Sequence, residues 1–168
     1  MNRFITLLML LVLLASGACQ RKDLLDPHDH YNLIINASFD DHALNQLISN
    51  IIWGQRGNYL SVPTDCPQRD ERLGWTGDTQ AFCGTAAYNA DVDGFFHKWL
   101  QDARDSQNEA GVYPDVIPTV RVVGFGGAAW SDAGIIVPYT MWKMYADTAI
   151  IEEHYASMEK YMDWLEGA

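Results

Sequence analysis

The sequence predicts an all-α fold, and three features carry that expectation. Apolar residues recur at helical spacing in several separate stretches, each preceded by an Asp placed to cap it. No segment alternates with period two for long enough to make a good strand; Val120-Arg121-Val122-Val123 is the best candidate and is short. The helical stretches follow one another across short turns, which suggests antiparallel helices laid side by side in a bundle or an α/α barrel. Two long irregular segments, 59–78 and 111–130, interrupt the pattern and are expected near each other at one end.

Residues 1–18 stand apart. Arg3 supplies one positive charge, 4–15 is an almost unbroken apolar run, and Ser16-Gly17-Ala18 places small residues directly before Cys19. That is the tripartite pattern of a secretory signal, too short for a comfortable membrane span. A cysteine in this position also fits a bacterial lipoprotein cleavage site, although Ser16 stands where a Leu is usual. Lipidation of Cys19, anchoring the chain to a membrane, and simple secretion are the two alternatives. On either, the mature chain begins near Cys19, and 19–35 reads as a polar tether.

From Asp41 the pattern turns helical. Leu44, Leu47, Ile48, Ile51 and Gln55 share one face, with Asp40 or Asp41 as the cap. The period fails around Gly57-Asn58. After the first irregular segment, Asp78 is placed to cap a short helix over 79–88. Asp91 is placed to cap another, in which Val92, Phe95, Phe96, Trp99, Leu100 and Ala103 form an amphipathic stripe. Asp132 opens a helix over 133–145. Asp147-Thr148 starts a last one, with Ile151, Tyr155, Met158, Met162 and Leu165 on one face.

The bulk numbers bound the function. A chain of 168 residues can build one modest domain with a real core. The net charge of −11 repels polyanions, so nucleic acid and anionic membrane surfaces are poor partners. A neutral sugar pays no such penalty, and six Trp and eight Tyr offer aromatic faces for sugar rings as readily as they fill a core. There is no CxxC, no HExxH and no His–Cys ligand spacing, so a protein-built zinc site is not expected, nor is any cofactor. Cys66 and Cys83 are equally compatible with a disulfide and with two buried thiols.

Chemistry concentrates in the first irregular segment. Residues 65–78 hold four carboxylates, Asp65, Asp70, Glu71 and Asp78, with Arg69, Arg72 and Trp75 among them. Carboxylates crowded on a Pro- and Gly-punctuated loop raise one another's pKa, while the arginines lower them selectively. One carboxyl can then stay protonated beside ionised neighbours, which is what a general acid requires. An exposed, salt-bridged loop is the competing reading, but such a loop has no need of a Trp.

The segment PTDCPQRDERLGWTGDTQ, 63–80, closely resembles the signature of bacterial α-L-rhamnosidases of glycoside hydrolase family 78. The resemblance runs from about Asn36 to Ala168, through YNADVDGFFHKWLQDARDSQ, GVYPDVIPTV, AAWSDAGIIVPYTMWKMYAD and HYASMEKYMDWL. It implies an (α/α)6 barrel that hydrolyses terminal, non-reducing α-L-rhamnosyl groups with inversion. By position, Glu71 matches the general acid. Asp65, Arg69 and Asp78 match residues that hydrogen-bond the rhamnose hydroxyls, and Trp75 matches an aromatic wall of the sugar site. Trp130 and Asp132 match further pocket residues; on their own they also read as a core aromatic and a helix N-cap.

An inverting reaction needs a second carboxylate to activate water, roughly 6.5–9.5 Å from the acid. The family's base has no counterpart here, and Glu152, Glu153, Glu159 and Glu166 lie on helices that match ordinary family helices. The chain is therefore expected to be the N-terminal portion of the catalytic barrel behind an export signal, periplasmic or held at the outer membrane. By itself it is expected to be inactive. The second hypothesis is an exported rhamnose-binding remnant without turnover, its partner a rhamnosylated glycan or glycoside.

Overall fold

Asp41 accepts hydrogen bonds from the backbone N–H groups of Ala43 at 2.8 Å and Leu44 at 3.3 Å, and so starts the first helix as expected. The computed structural model describes residues 41–66 and 68–167. The expected export signal over 1–18, Cys19, the expected tether over 19–35, Asp40 and Pro67 lie outside the described residues. All described residues belong to one unit, Ile34–Ala168. They form five helices: α1 His42–Asn58, α2 Thr76–Asn89, α3 Asp93–Ser106, α4 Ala133–Tyr145 and α5 Thr148–Gly167. Among the described residues there is no strand, only three isolated antiparallel bridges, so the all-α expectation holds.

The helix α4 covers the expected 133–145, and α3 buries the expected stripe: Val92, Phe96, Trp99, Leu100 and Ala103 are all buried. Around them, α4 packs on α2, α3 and α5, while α3 also meets α5. The phenol of Tyr145 fastens the turn between α2 and α3, donating to the Ala90 carbonyl at 3.2 Å and accepting from the Val92 N–H at 3.0 Å.

Three helices differ from expectation, and at the start of α3 Val92, not Asp91, holds the N-cap. The second helix begins at Thr76, so Asp78 is not its cap but a residue of its first turn. The cause is external pinning: the Thr76 N–H and hydroxyl both donate to the Asp115 carbonyl, each at 3.0 Å, holding the chain where the helix starts. In α5, the apolar residues Tyr155, Met162 and Leu165 are exposed, while Ile150, His154, Ser157 and Tyr161 are buried. A His and a Ser on the packed side disguise it as polar, so the apolar pattern points at the neighbouring face. Likewise Leu44, Leu47 and Ile51 of α1 are exposed, and the buried member of that stripe is Gln55. Its side chain donates to the Ala86 carbonyl at 3.2 Å and accepts from Asn89 at 2.9 Å, joining α1 to α2.

The two irregular segments do lie together. The N–H of Ile117 donates to the Gly74 carbonyl at 2.9 Å, that of Asp115 to Gly124 at 3.0 Å and that of Gly126 to Tyr113 at 3.2 Å. Residues 113–117 thus pair with 74–76 on one side and 124–126 on the other. The segment 120–123 is not a strand; it closes a turn through a bond from the Val123 N–H to the Val120 carbonyl at 3.2 Å. Its neighbours 113–117 take the pairing instead, because they are the buried, anchored side of that excursion.

Candidate functional site

The loop between α1 and α2 is closed by its own backbone. The Asp65 N–H donates to the Leu73 carbonyl at 3.2 Å, and Thr64 returns to the end of α1 by donating from its N–H and hydroxyl to the Asn58 carbonyl, each at 3.1 Å. Gly74 is required where it stands: a Cβ there would lie 2.3 Å from the Ile117 carbonyl oxygen and abolish the pairing of the two loops. Arg72, directly after Glu71, is held at φ 45°, a left-handed conformation that costs a non-glycine residue energy. The chain therefore bends sharply at the point where Glu71 is presented.

That bend brings Asp65, Cys66 and Glu71 together, with one donor atom of each within 4.8 Å of the others. Glu71 is exposed, whereas Asp65 and Cys66 are half-buried. Asp65 Oδ1 is buried and has no hydrogen-bond partner among the described residues. Such an acceptor costs stability unless a donor reaches it. The hydrogen bond to Asp65, followed by desolvation and the nearby negative charges, pushes the Cys66 thiol up against the opposing pull of Arg69. Cys66 and Cys83 are both free. Arg69 is exposed on the turn closed by its N–H to the Cys66 carbonyl at 3.2 Å.

A second group assembles at the N-terminus of α2. Trp75 is half-buried at the start of the helix, and Asp78 is exposed in its first turn. Trp130 lies against Gly77: a Cβ on that glycine would be 2.9 Å from the indole Nε1 and 3.1 Å from the Ala129 carbonyl oxygen. Trp130 remains 41% exposed, so it is not a core aromatic. Asp132 occupies the N-cap position of α4 without capping it through its side chain. Its carboxylate accepts from the Tyr161 hydroxyl at 3.0 Å and from the Ala129 N–H at 2.9 Å.

Three residues that the sequence did not single out help build this end of the molecule. Asp115 Oδ1 accepts from the Gly127 N–H at 2.9 Å and from the Ser131 hydroxyl at 3.2 Å. Ser131, fully buried, also donates to the Tyr113 carbonyl at 2.7 Å. Tyr161 is equally hidden, and burial, then its bond to Asp132, keeps the phenol protonated as a donor. The one sequence signal for any of them was an Asp isolated in the apolar run GVYPDVIPTV.

Among the described residues, two groups have ligand-type side chains close enough to hold a cation: Asp65, Cys66 and Glu71, and Asp93, His97 and Asp147. In the second, His97 and Asp147 are already paired at 2.6 Å and tie α3 to the start of α5.

Residues 36–168 match the bacterial alpha-L-rhamnosidase 6 hairpin glycosidase domain. An α-L-rhamnosidase of Streptomyces avermitilis is 50% identical over 123 residues, covering 73% of this chain and 12% of that protein. One of Formosa agariphila is 46% identical over 129 residues, covering 76% of this chain and 14% of that protein. Among solved structures, the S. avermitilis α-L-rhamnosidase complexed with L-rhamnose superposes with a TM-score of 0.76 at 47% identity, over 77% of this chain and 13% of that one. The α-L-rhamnosidase of Dictyoglumus thermophilum gives a TM-score of 0.73 at 44% identity, over 76% of this chain and 14% of that one. The chain thus spans about an eighth of the length of the relatives it matches. Its helices, its paired loops and this match over 36–168 together show that the chain belongs to the bacterial α-L-rhamnosidase six-hairpin glycosidase family.

Proposed function

We propose that this chain carries the acid half of an α-L-rhamnosidase site, in which terminal, non-reducing α-L-rhamnosyl groups are hydrolysed with inversion. The observation that carries the reading is the buried, unpartnered Asp65 Oδ1 beside the exposed Glu71 carboxyl. One is an acceptor waiting for a donor, as a sugar hydroxyl would be; the other is free to reach a leaving-group oxygen. On this reading Glu71 protonates the departing oxygen, while Asp65, Arg69 and Asp78 bind rhamnose hydroxyls. Trp75 and Trp130 supply aromatic walls for the ring. The relative's complex with L-rhamnose supports this class of ligand.

Asp65 is not the base of this proposal. Its oxygen lies within 4.8 Å of Glu71, nearer than the roughly 6.5–9.5 Å that leaves room for an attacking water. The water-activating carboxylate is placed outside 36–168, so the 168-residue chain binds rhamnose without appreciable turnover. The short Asp65–Glu71 separation is nearer to the roughly 5–5.5 Å of a retaining pair, in which Asp65 would be the nucleophile. In a chain completed with the rest of a relative's barrel, product stereochemistry decides between them: inversion releases β-L-rhamnose first, retention α-L-rhamnose.

The direct test is titration of the chain with L-rhamnose, with D-glucose as control. Saturable binding of rhamnose is expected. It should weaken about 10- to 100-fold in Asp65→Asn, the range for losing a hydrogen bond to a charged group. Equal affinity for both sugars, or none for either, would count against the site. We further propose export, with Cys19 as the first residue of the mature chain and its thioether-linked lipid as the anchor. Mass spectrometry of the cell-expressed protein should find 1–18 removed; cleavage at Cys19 without acyl chains would leave secretion alone.

A further inference from the structure

Resting on the reading of Trp130 as a wall of the rhamnose site, we infer that Asp132 is a positioning residue rather than a sugar ligand, and that with Tyr161 and Asp115 it forms a latch that sets the Trp130 indole against Gly77 of α2. Three separate elements converge on the short segment 126–131. From α5, the Tyr161 hydroxyl donates to Asp132 Oδ1 at 3.0 Å, and the other oxygen of the same carboxylate takes the Ala129 N–H at 2.9 Å. From the 113–117 segment, Asp115 Oδ1 accepts from Gly127 N–H at 2.9 Å and from the Ser131 hydroxyl at 3.2 Å. From α2, Gln80 Nε2 donates to the Ala129 carbonyl at 2.6 Å.

The conformation that these bonds hold is one the chain would not choose freely. Ala129 sits at φ 66°, the left-handed region that disfavours a residue with a Cβ. That twist falls on the residue immediately before Trp130, so it determines the direction in which the indole leaves the backbone. The place it reaches is tight, since Gly77 has no room for a Cβ beneath the indole. Strain held by an over-determined network next to a partly open aromatic is what a preorganised binding wall requires. Each oxygen of Asp132 accepts a bond from this network, which ties the carboxylate to the segment that carries Trp130.

The experiment uses the 168-residue chain and Tyr161→Phe, which keeps the buried ring and removes one hydroxyl. The first readout is the Trp130 indole N–H resonance in a ¹⁵N spectrum without ligand, assigned by its loss in Trp130→Phe. Tyr161→Phe and Asp132→Asn should both shift or broaden it. The second readout is affinity for L-rhamnose, which Tyr161→Phe should lower several-fold in the wild-type background and leave unchanged in the Trp130→Phe background. An unmoved Trp130 resonance overturns the latch. So does a loss of affinity that is equal in both backgrounds, because it would not pass through Trp130. If the wild-type chain binds no L-rhamnose, the functional reading fails, and with it the assignment of Trp130 as a sugar wall; the indole resonance then decides the latch alone.

Discussion

Gly77 shows how a single residue is placed between stability and function. It lies inside α2, where alanine is favoured over glycine by about 0.8–1 kcal/mol. Its Cβ would nevertheless meet the Trp130 indole at 2.9 Å and the Ala129 carbonyl at 3.1 Å. The two effects oppose each other, so Gly77→Ala should leave the thermal midpoint within a few degrees of wild type while displacing the indole. Rhamnose titration beside a melting curve checks this. Unchanged affinity would mean that Trp130 stands clear of the sugar. At the same scale, the sequence singles out Asp65, Glu71, Trp75 and Asp78 as candidates because they lie together in one segment. Asp115, Ser131 and Tyr161 were not legible, because their roles come from contacts 12 to 29 positions apart in the chain.

Among elements, α3 was readable because its apolar stripe coincides with the face that packs, and α4 because it follows Asp132; yet Val92, not Asp91, holds the N-cap of α3, and Asp132 caps α4 with no side-chain bond. The helix α5 was readable as a helix but not as a surface, since His154 and Ser157 are buried. Two consequences can be measured here. Ala146 ends α4 at φ 55°, where glycine carries no Cβ penalty. After the added freedom of glycine in the unfolded chain is subtracted, Ala146→Gly should stabilise by roughly 0.5–1 kcal/mol, seen as a raised melting midpoint. A lowered midpoint would mean that the methyl group makes contacts that outweigh its strain.

The second consequence is the pH dependence of the α3–α5 contact. Partial burial disfavours the His97 cation, but its bond to Asp147 and the charges of Asp93, Asp147 and Glu153 outweigh that and raise its pKa above 6.5. Asp147 is shifted the other way: desolvation alone would raise it, but its bonds to His97 and to backbone N–H groups lower it below 3.8. A raised His contributes fully below 6.5 and is lost as pH rises through its folded value; the lowered Asp contributes above 3.8 and is lost as pH falls. The melting gap between wild type and His97→Gln should therefore be widest between these pH values and close on the alkaline side. His154 has the opposite sign to His97. Burial and then the Arg104 charge lower it to about 4, so wild type should lose stability between pH 6.5 and 4, and His154→Gln should flatten that limb. A gap for His97→Gln that widens above pH 8, or an unchanged acid limb in His154→Gln, would contradict these assignments.

At the scale of the molecule, the two irregular loops close largely on themselves and meet through the backbone bonds from Ile117 to Gly74 and from Thr76 to Asp115. Pairing 113–117 between 74–76 and 124–126 is what turns separate stretches of sequence into one end of a domain. The sequence indicated that these segments are neighbours, but not that 120–123 would be a turn and 113–117 the paired strip. Long-range pairing of that kind leaves little local trace.

The central claim is that Glu71 gives a proton and Asp65 holds the sugar, and the dependence of each on the leaving group separates the roles. Residues 36–167 can replace the matching segment of the S. avermitilis enzyme, to which this chain is 50% identical over 123 residues. In that chimera, Glu71→Gln should slow hydrolysis of a natural rhamnoside by about 10²–10⁴-fold, because a poor alkoxide needs the proton. A nitrophenyl α-L-rhamnoside, whose leaving group departs without it, should be affected far less while bond cleavage limits the rate. Asp65→Asn should weaken both substrates by similar factors, through binding and positioning. Equal losses on both substrates for Glu71→Gln, together with leaving-group dependence for Asp65→Asn, would contradict the account and exchange the two roles.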